Sequence, residues 1–313
     1  MLDKDEFLSK YKLTKAFESS GLEWDTLQRI YDNYNLIESD LKKVKSDLEK
    51  YLTDNLLEEQ EGSYRQQKVF HSVRCRIKSP EHLIEKIIRK RGVEHNYKYK
   101  EINENNYTQI IHDIIGVRVL VFKKEEWERI FDKMAILFPS HDENNSNEDK
   151  RCMAERPVAY TRYGDRDIFK NKIHAEHSNK GYRSQHYVVR FEGFYCEIQV
   201  RTLAEEVYGE FDHRVKYPYR NDNNFLKRYT NTLSQLLDAV DELISTCEQM
   251  NENGWDKCSE YYEEDKYIDW KNISQYSADN NYKTEIKSQV NQSLKHVKIN
   301  AEDYMKKRLL RKD

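Results

Sequence analysis

The sequence predicts an α+β protein: a mixed, mainly antiparallel β-sheet flanked by helices, with helical extensions at both ends. Segments whose apolar residues recur at helical spacing alternate with short β-branched runs. Two alternating strands within 185–201 read as a hairpin. Charged residues make up 35% of the chain against 37% apolar, which suits a densely charged surface around an economical core. With 313 residues, one main domain with appended helices is expected: a helical segment over 1–58, a central domain over 59–250 and a helical extension over 251–313.

From Leu27, the residues Ile30, Tyr34, Ile37, Leu41, Val44 and Leu48 follow at spacings of three and four, the seam of one long helix running to about Leu56. Residues 59–63 break it, and a strand is expected over Gln67 to Ile77. Ser79 then caps a helix with Pro80 at its first position, where the missing N–H costs nothing. That helix turns Leu83, Ile84, Ile87 and Ile88 inward and leaves His82, Lys86, Arg89 and Lys90 on an exposed basic face. The β-branched run IIGVRVLVF at 114–122 reads as a buried strand, with a helix opening after it. Residues 139–180, poor in apolar periodicity and rich in Asn, Asp and Lys, read as a long loop region.

In the hairpin, Glu192 and Gly193 form the turn. Pairing Phe191 with Phe194 sets Val189 against Cys196 and Tyr187 against Ile198 on one face. Val188 then meets Glu197 and His186 meets Gln199 on the other, so one face is core and the other carries chemistry. Helices follow at about 202–213 and from Leu226 to Cys247.

Several classes are disfavoured. No run approaches the roughly 18 apolar residues that span a bilayer, and the first residues lack the apolar core of a signal peptide, so a cytoplasmic protein without membrane contact is expected. The five cysteines are scattered with no CxxC pair, against a zinc site or disulfide framework. A net charge of −3 gives no global drive toward nucleic acid. The sequence contains no GxxxxGK[ST], GxGxxG, GxSxG or HExxH.

Glu197, Gln199 and Arg201 share one strand face. A carboxylate, an amide and a guanidinium there suit a metal–phosphate site, and equally the solvated face of an edge strand. Asp113 immediately precedes the apolar strand, where a carboxylate can be presented at a sheet end or can cap a turn. Arg76, Lys78 and Lys86 could neutralise a triphosphate or be solvated charges flanking a core helix. Both carboxylates are expected at exposed positions, so that amide substitutions would remove chemistry with little loss of folding.

Taken together, RCRIKSPEHLIEKI (74–87), IHDIIGVRVLVF (111–122), KGYRSQHYVV (180–189) and EIQVRTLAEEVYGEFDHRVKY (197–217) resemble the synthetase domain of the RelA/SpoT alarmone synthetases, and the chain is similar to the small stand-alone members. The resemblance implies a nucleotidyltransferase-like synthetase fold and transfer of pyrophosphate from ATP to the 3′-hydroxyl of GDP or GTP. It implies ATP-phosphate contacts from Arg76, Lys78 and Lys86, and Mg2+ on Asp113 and Glu197. Glu197 would help to deprotonate the acceptor, Tyr182 would stack on guanine, and His186, Gln199, Lys180 and Arg201 would lie on the acceptor side, with His213 in support. The family often has Ser where His82 stands and Asn where Lys180 stands. Two other readings remain: a toxic relative that pyrophosphorylates the 3′ CCA end of tRNA, and a non-catalytic nucleotide sensor. Self-association into a homo-oligomer is also expected of such small synthetases.

Overall fold

This computed structural model describes residues 2–59, 66–68, 70–140, 151–161, 169, 172–178, 182–216 and 224–258. The chain divides into two compact units, Met1–Glu252 and Asn253–Asp313. Of the second unit, only the end of the last helix is among the described residues; the rest of the expected C-terminal extension lies outside them.

The first unit opens with α1 (Lys4–Lys10), α2 (Thr14–Ser20) and α3 (Trp24–Asn55). Asp3 caps α1 by accepting a hydrogen bond from the Glu6 N–H at 2.8 Å. The seam read from the sequence is the buried stripe of α3, with Leu27, Ile30, Tyr34, Leu41, Val44 and Leu48 inside and Ile37 partly covered. Next come β1 (Leu57–Glu59), β2 (Gln66–Lys68), β3 (Ser72–Ile77) and α4 (Pro80–Gly92), then α5 (Tyr107–Ile110), β4 (Ile115–Val121) and α6 (Trp127–Leu137). Strands β5 (Arg151–Met153), β6 (Val158–Thr161), β7 (His174–His177), β8 (Ser184–Phe191) and β9 (Phe194–Thr202) lead to α7 (Leu203–Lys216) and α8 (Asn224–Cys258).

Among the described residues the main sheet has seven strands in the order β3-β4-β9-β8-β6-β7, with β5 and β6 sharing the outer edge of β8. The pairs β4–β9 and β6–β7 are parallel and the rest antiparallel, as the mixed, mainly antiparallel reading requires. The face bearing Val117, Val119, Tyr187, Val189, Ile198 and Val200 is sealed into one core with the inward residues of α3, α4 and α6. Period-two alternation sends their neighbours to the opposite, polar face.

Three expectations need correction. The strand foreseen over Gln67 to Ile77 is two: β2 pairs with β1 in a separate two-stranded sheet, and β3 joins the main sheet. The break falls at the buried Phe70, after which the His71 N–H bonds to the Leu120 carbonyl. Residues 139–180 are not all loop, since they contain β5, β6 and β7. These short strands take their backbone hydrogen bonds from β8 and from each other, which needs no apolar period. Finally, Lys86 leaves the exposed basic face of α4, because its ammonium turns inward to the half-buried Asp113 carboxylate.

Candidate active site

The polar face of the sheet is a grid set by register. Gly116 of β4 sits beside Glu197 of β9 and Arg118 beside Gln199. Arg76 of β3 sits opposite Gly116. The β8–β9 hairpin has the register foreseen from its sequence, Phe191 with Phe194, Val188 with Glu197 and His186 with Gln199. Both turn residues have positive φ, Glu192 at 46° and Gly193 at 87°. That backbone suits the right-handed twist of the strands, and glycine adopts it without strain.

Two carboxylates organise this face. Asp113, at the entrance to β4, lies 3.1 Å from the Lys78 ammonium and 2.7 Å from that of Lys86. Burial disfavours its charge, but the two lysines outweigh burial and lower its pKa from 3.8 to about 2. Burial also lowers the pKa of Lys86, with Asp113 opposing and Lys78 reinforcing the shift. Glu197 accepts a hydrogen bond from Gln199 Nε2 at 2.8 Å and lies 3.3 Å from His186 Nδ1. Burial and the field of Asp113 work against its ionisation, yet His186 and Gln199 keep its pKa below the usual carboxylate value. The other ring nitrogen of His186, Nε2, is buried with no hydrogen-bond partner among the described residues. The expectation of exposed carboxylates therefore fails for both, since the side chains of Asp113 and Glu197 are 19% and 26% exposed.

The fields of Asp113 and Glu197 reach each other and both reach Lys86. Two ionised carboxylates so coupled fit a magnesium ion whose remaining ligands come from phosphate and water. Among the described residues no group of three His, Cys, Asp or Glu side chains is gathered as a metal site. Arg76 passes over Gly116, where a Cβ would touch its Nε at 3.5 Å. The fields of Arg76 and Arg118 reach His213 on α7.

At the other end of β9, the Arg201 guanidinium lies over the Tyr182 ring, 5.1 Å from its centroid. Tyr182 neighbours His186 and Tyr160, with ring centroids 6.5 and 6.1 Å away, and Tyr160 meets His186 edge-on at 4.7 Å. Arg201 packs against Gly209 of α7, where a Cβ would stand 2.6 Å from its Nη1. Arg118 pairs with Glu206 at 2.5 Å and with Glu210, fastening α7 beside the grid. Lys180 lies outside the described residues.

Sequence reasoning missed Tyr160, which falls in the stretch read as loop. It also passed over Arg118, whose signal was legible as the one charge in an apolar strand, at a position of the polar face. The remaining foreseen residues, Arg76, Lys78, Lys86, Asp113, Tyr182, His186, Glu197, Gln199 and Arg201, stand on this face or at its margins.

The pKa of Asp113 sets an expected pH dependence. Because its folded value is depressed, its ion pairs stabilise the fold above an unfolded pKa near 4, and that contribution fades as pH falls through about 2. The stability difference between wild type and Asp113→Asn, measured in urea, should shrink between pH 4 and pH 2. A difference constant across that window would refute the assignment.

Residues 75–222 match the family model described as "Region found in RelA / SpoT proteins". A curated relative, GTP pyrophosphokinase YwaC of Bacillus subtilis (strain 168), is 28% identical over 157 residues, covering 48% of this chain. The chain spans 59% of that relative's length. The fold is similar to that of small alarmone synthetase 1 from Bacillus subtilis, solved alone with a TM-score of 0.51 at 18% identity and bound to its product pppGpp with 0.50 at 17%. Each of these likenesses covers 71% of this chain and 100% of the other. Sheet order, site grid and family match thus converge, and residues 75–222 of this chain match the region found in RelA/SpoT proteins.

Proposed function

We propose that the chain is an ATP-dependent pyrophosphokinase that moves the β- and γ-phosphates of ATP to the 3′-hydroxyl of GDP or GTP, making (p)ppGpp and releasing AMP. The observation that carries this reading is the adjacency of two sets of groups at the polar face of the sheet and its margin. The Lys78–Asp113–Lys86 cluster supplies cations for a triphosphate, and beside it Glu197, His186 and Gln199 lead to the Tyr182–Tyr160 aromatic wall.

In the reaction, a bond forms between the acceptor 3′-oxygen and the β-phosphorus while the bond from that phosphorus to the AMP oxygen breaks. Such transfer depends on in-line positioning and charge neutralisation more than on covalent help from the protein. Arg76, Lys78 and Lys86 hold the phosphates of ATP. Tyr182, backed by the Arg201 guanidinium, offers its ring to the guanine, and Tyr160 forms a second wall. Glu197 takes up the 3′-hydroxyl proton, and His186, held by Glu197, turns its free Nε2 toward the acceptor. Asp113 and Glu197 are the residues that would hold Mg2+, which would supply positive charge to offset that of the phosphates. Among the described residues no helix is long and apolar enough to cross a membrane.

Incubation with ATP labelled in the γ-phosphate and either GDP, GTP or deacylated tRNA tests the reading. Label in a guanosine tetra- or pentaphosphate is expected; label in tRNA alone, or in nothing, would overturn it. Tyr182→Ala and Tyr160→Ala should each weaken the guanine nucleotide by about 1–3 kcal/mol, the worth of an aromatic stack on a base. KM for ATP should stay within about twofold, and an equal loss of both substrates would mean that the aromatic wall lies elsewhere than at the acceptor.

A further inference from the structure

The donor half of the site rests on the turn between β3 and α4, and residues outside 75–222 hold that turn. Tyr34 of α3, 1% exposed, donates its hydroxyl to the Lys78 carbonyl. On the other side, the Lys78 N–H donates to the Ile114 carbonyl at 2.9 Å, one residue beyond Asp113. The Lys78 backbone is therefore pinned through both its N–H and its C=O. Two residues after Ser79, Glu81 in the first turn of α4 accepts from Lys10 at 2.6 Å and from the Tyr11 hydroxyl at 2.7 Å. The buried Tyr11 ring also meets His82 edge-on, with centroids 5.9 Å apart.

A lysine side chain is flexible, so its ammonium serves a phosphate well only when its backbone is fixed. Removing a hydroxyl that serves a buried carbonyl leaves that carbonyl unpaired, and the peptide gains freedom to turn toward another partner. Tyr34 touches no group of the proposed chemistry itself. Its effect passes through one carbonyl to the residue whose side chain sits 3.1 Å from Asp113.

We propose that Tyr34 and Tyr11 are positioning residues for the donor nucleotide: Tyr34 acts through the Lys78 backbone, and Tyr11 through Glu81 and the first turn of α4. The proposal rests on the pyrophosphokinase reading and extends the donor site into the N-terminal helices. The acceptor wall shares none of these contacts, so the two substrates should respond differently.

The test compares wild type, Tyr34→Phe and Tyr11→Phe in the full chain, with separate KM values for ATP and for the guanine nucleotide, kcat, and melting temperature. Phenylalanine keeps the ring and its packing and removes only the hydroxyl. Tyr34→Phe is expected to raise KM for ATP about tenfold, and Tyr11→Phe about threefold, with kcat and the acceptor KM within about twofold. A purely structural role would instead lower melting temperature or kcat with both KM values unmoved. That pattern, or equal rises in both KM values, would overturn the proposal, and Tyr11→Phe keeps it open to refutation if Tyr34→Phe fails to fold. Failure of the underlying reading is seen separately, as absence of transfer by the wild type, and would remove the proposal with it.

Discussion

Glu197→Gln is expected to lower pyrophosphate transfer by about 10^2- to 10^3-fold or more while the protein melts close to wild type. The substitution keeps the shape of the side chain and removes the charge that orients His186 and that the acceptor proton requires. Asp113→Asn should lose transfer to a similar extent and should also be less stable. Its carboxylate neutralises two lysines at 2.7 and 3.1 Å, and an amide would leave their charges facing each other. The shift from 3.8 to about 2 corresponds to roughly 2 kcal/mol at neutral pH. The pair of variants thus separates chemistry from stability, read by product formation and urea midpoints on the same preparations. Retained transfer in Glu197→Gln would remove Glu197 from the mechanism, and wild-type stability in Asp113→Asn would deny the lysine cluster its energetic weight.

Gly92→Ala should be the most damaging single substitution for the fold. Gly92 closes α4 where the backbone of α2 crosses it, and a Cβ there would stand 1.8 Å from the Ala16 carbonyl oxygen. The neighbouring atom is backbone, so the helices must part, and their seam would lose the Ser19 hydroxyl to Gly92 carbonyl bond at 2.7 Å and the Arg91 to Ser20 carbonyl bond at 2.7 Å. Overpacking of this kind costs about 3 kcal/mol, which for a chain of this size lowers melting by roughly 5 °C. Gly193→Ala is the control: nothing lies within 4 Å of a Cβ there, and only its φ of 87° opposes the change. About 1 kcal/mol is expected. A Gly92→Ala protein that melts within a degree of wild type would show that α2 and α4 are not in the contact described.

Much of this arrangement was legible because local rules and tertiary demands agree. In β9, carboxylate, amide and guanidinium alternate with Cys196, Ile198 and Val200, so burying one set presents the other. The hairpin register followed from matching apolar positions across a two-residue turn. At α4, Ser79 and Pro80 announced the start, and the Ser79 side chain accepts from the His82 N–H as a cap should. Where the reading failed, the deciding partner was remote in sequence. Lys86 is turned by Asp113, a residue on another element, and helical spacing alone assigned it to solvent. The strand bearing Tyr160 exists because β8 offers an edge, and its four residues carry no periodic signal of their own. Tyr34 reads as one more apolar position on a helix seam, and its hydroxyl's destination depends on where β3 ends.

The central parallel pair has a consequence for how the protein comes together. Ile115 must find Cys196 far along the chain, whereas Phe191 and Phe194 are joined by two residues. Hairpin closure is a microsecond event, and bringing distant segments side by side carries the larger loop-entropy barrier, so β8 and β9 are expected to form before β4 docks on them. Asp113 and Glu197 belong to opposite partners in that late docking. A nascent or partly refolded chain is therefore expected to have His186 and Glu197 on one finished ribbon before Asp113 and its lysines arrive, so that the proposed site is complete only after β4 docks.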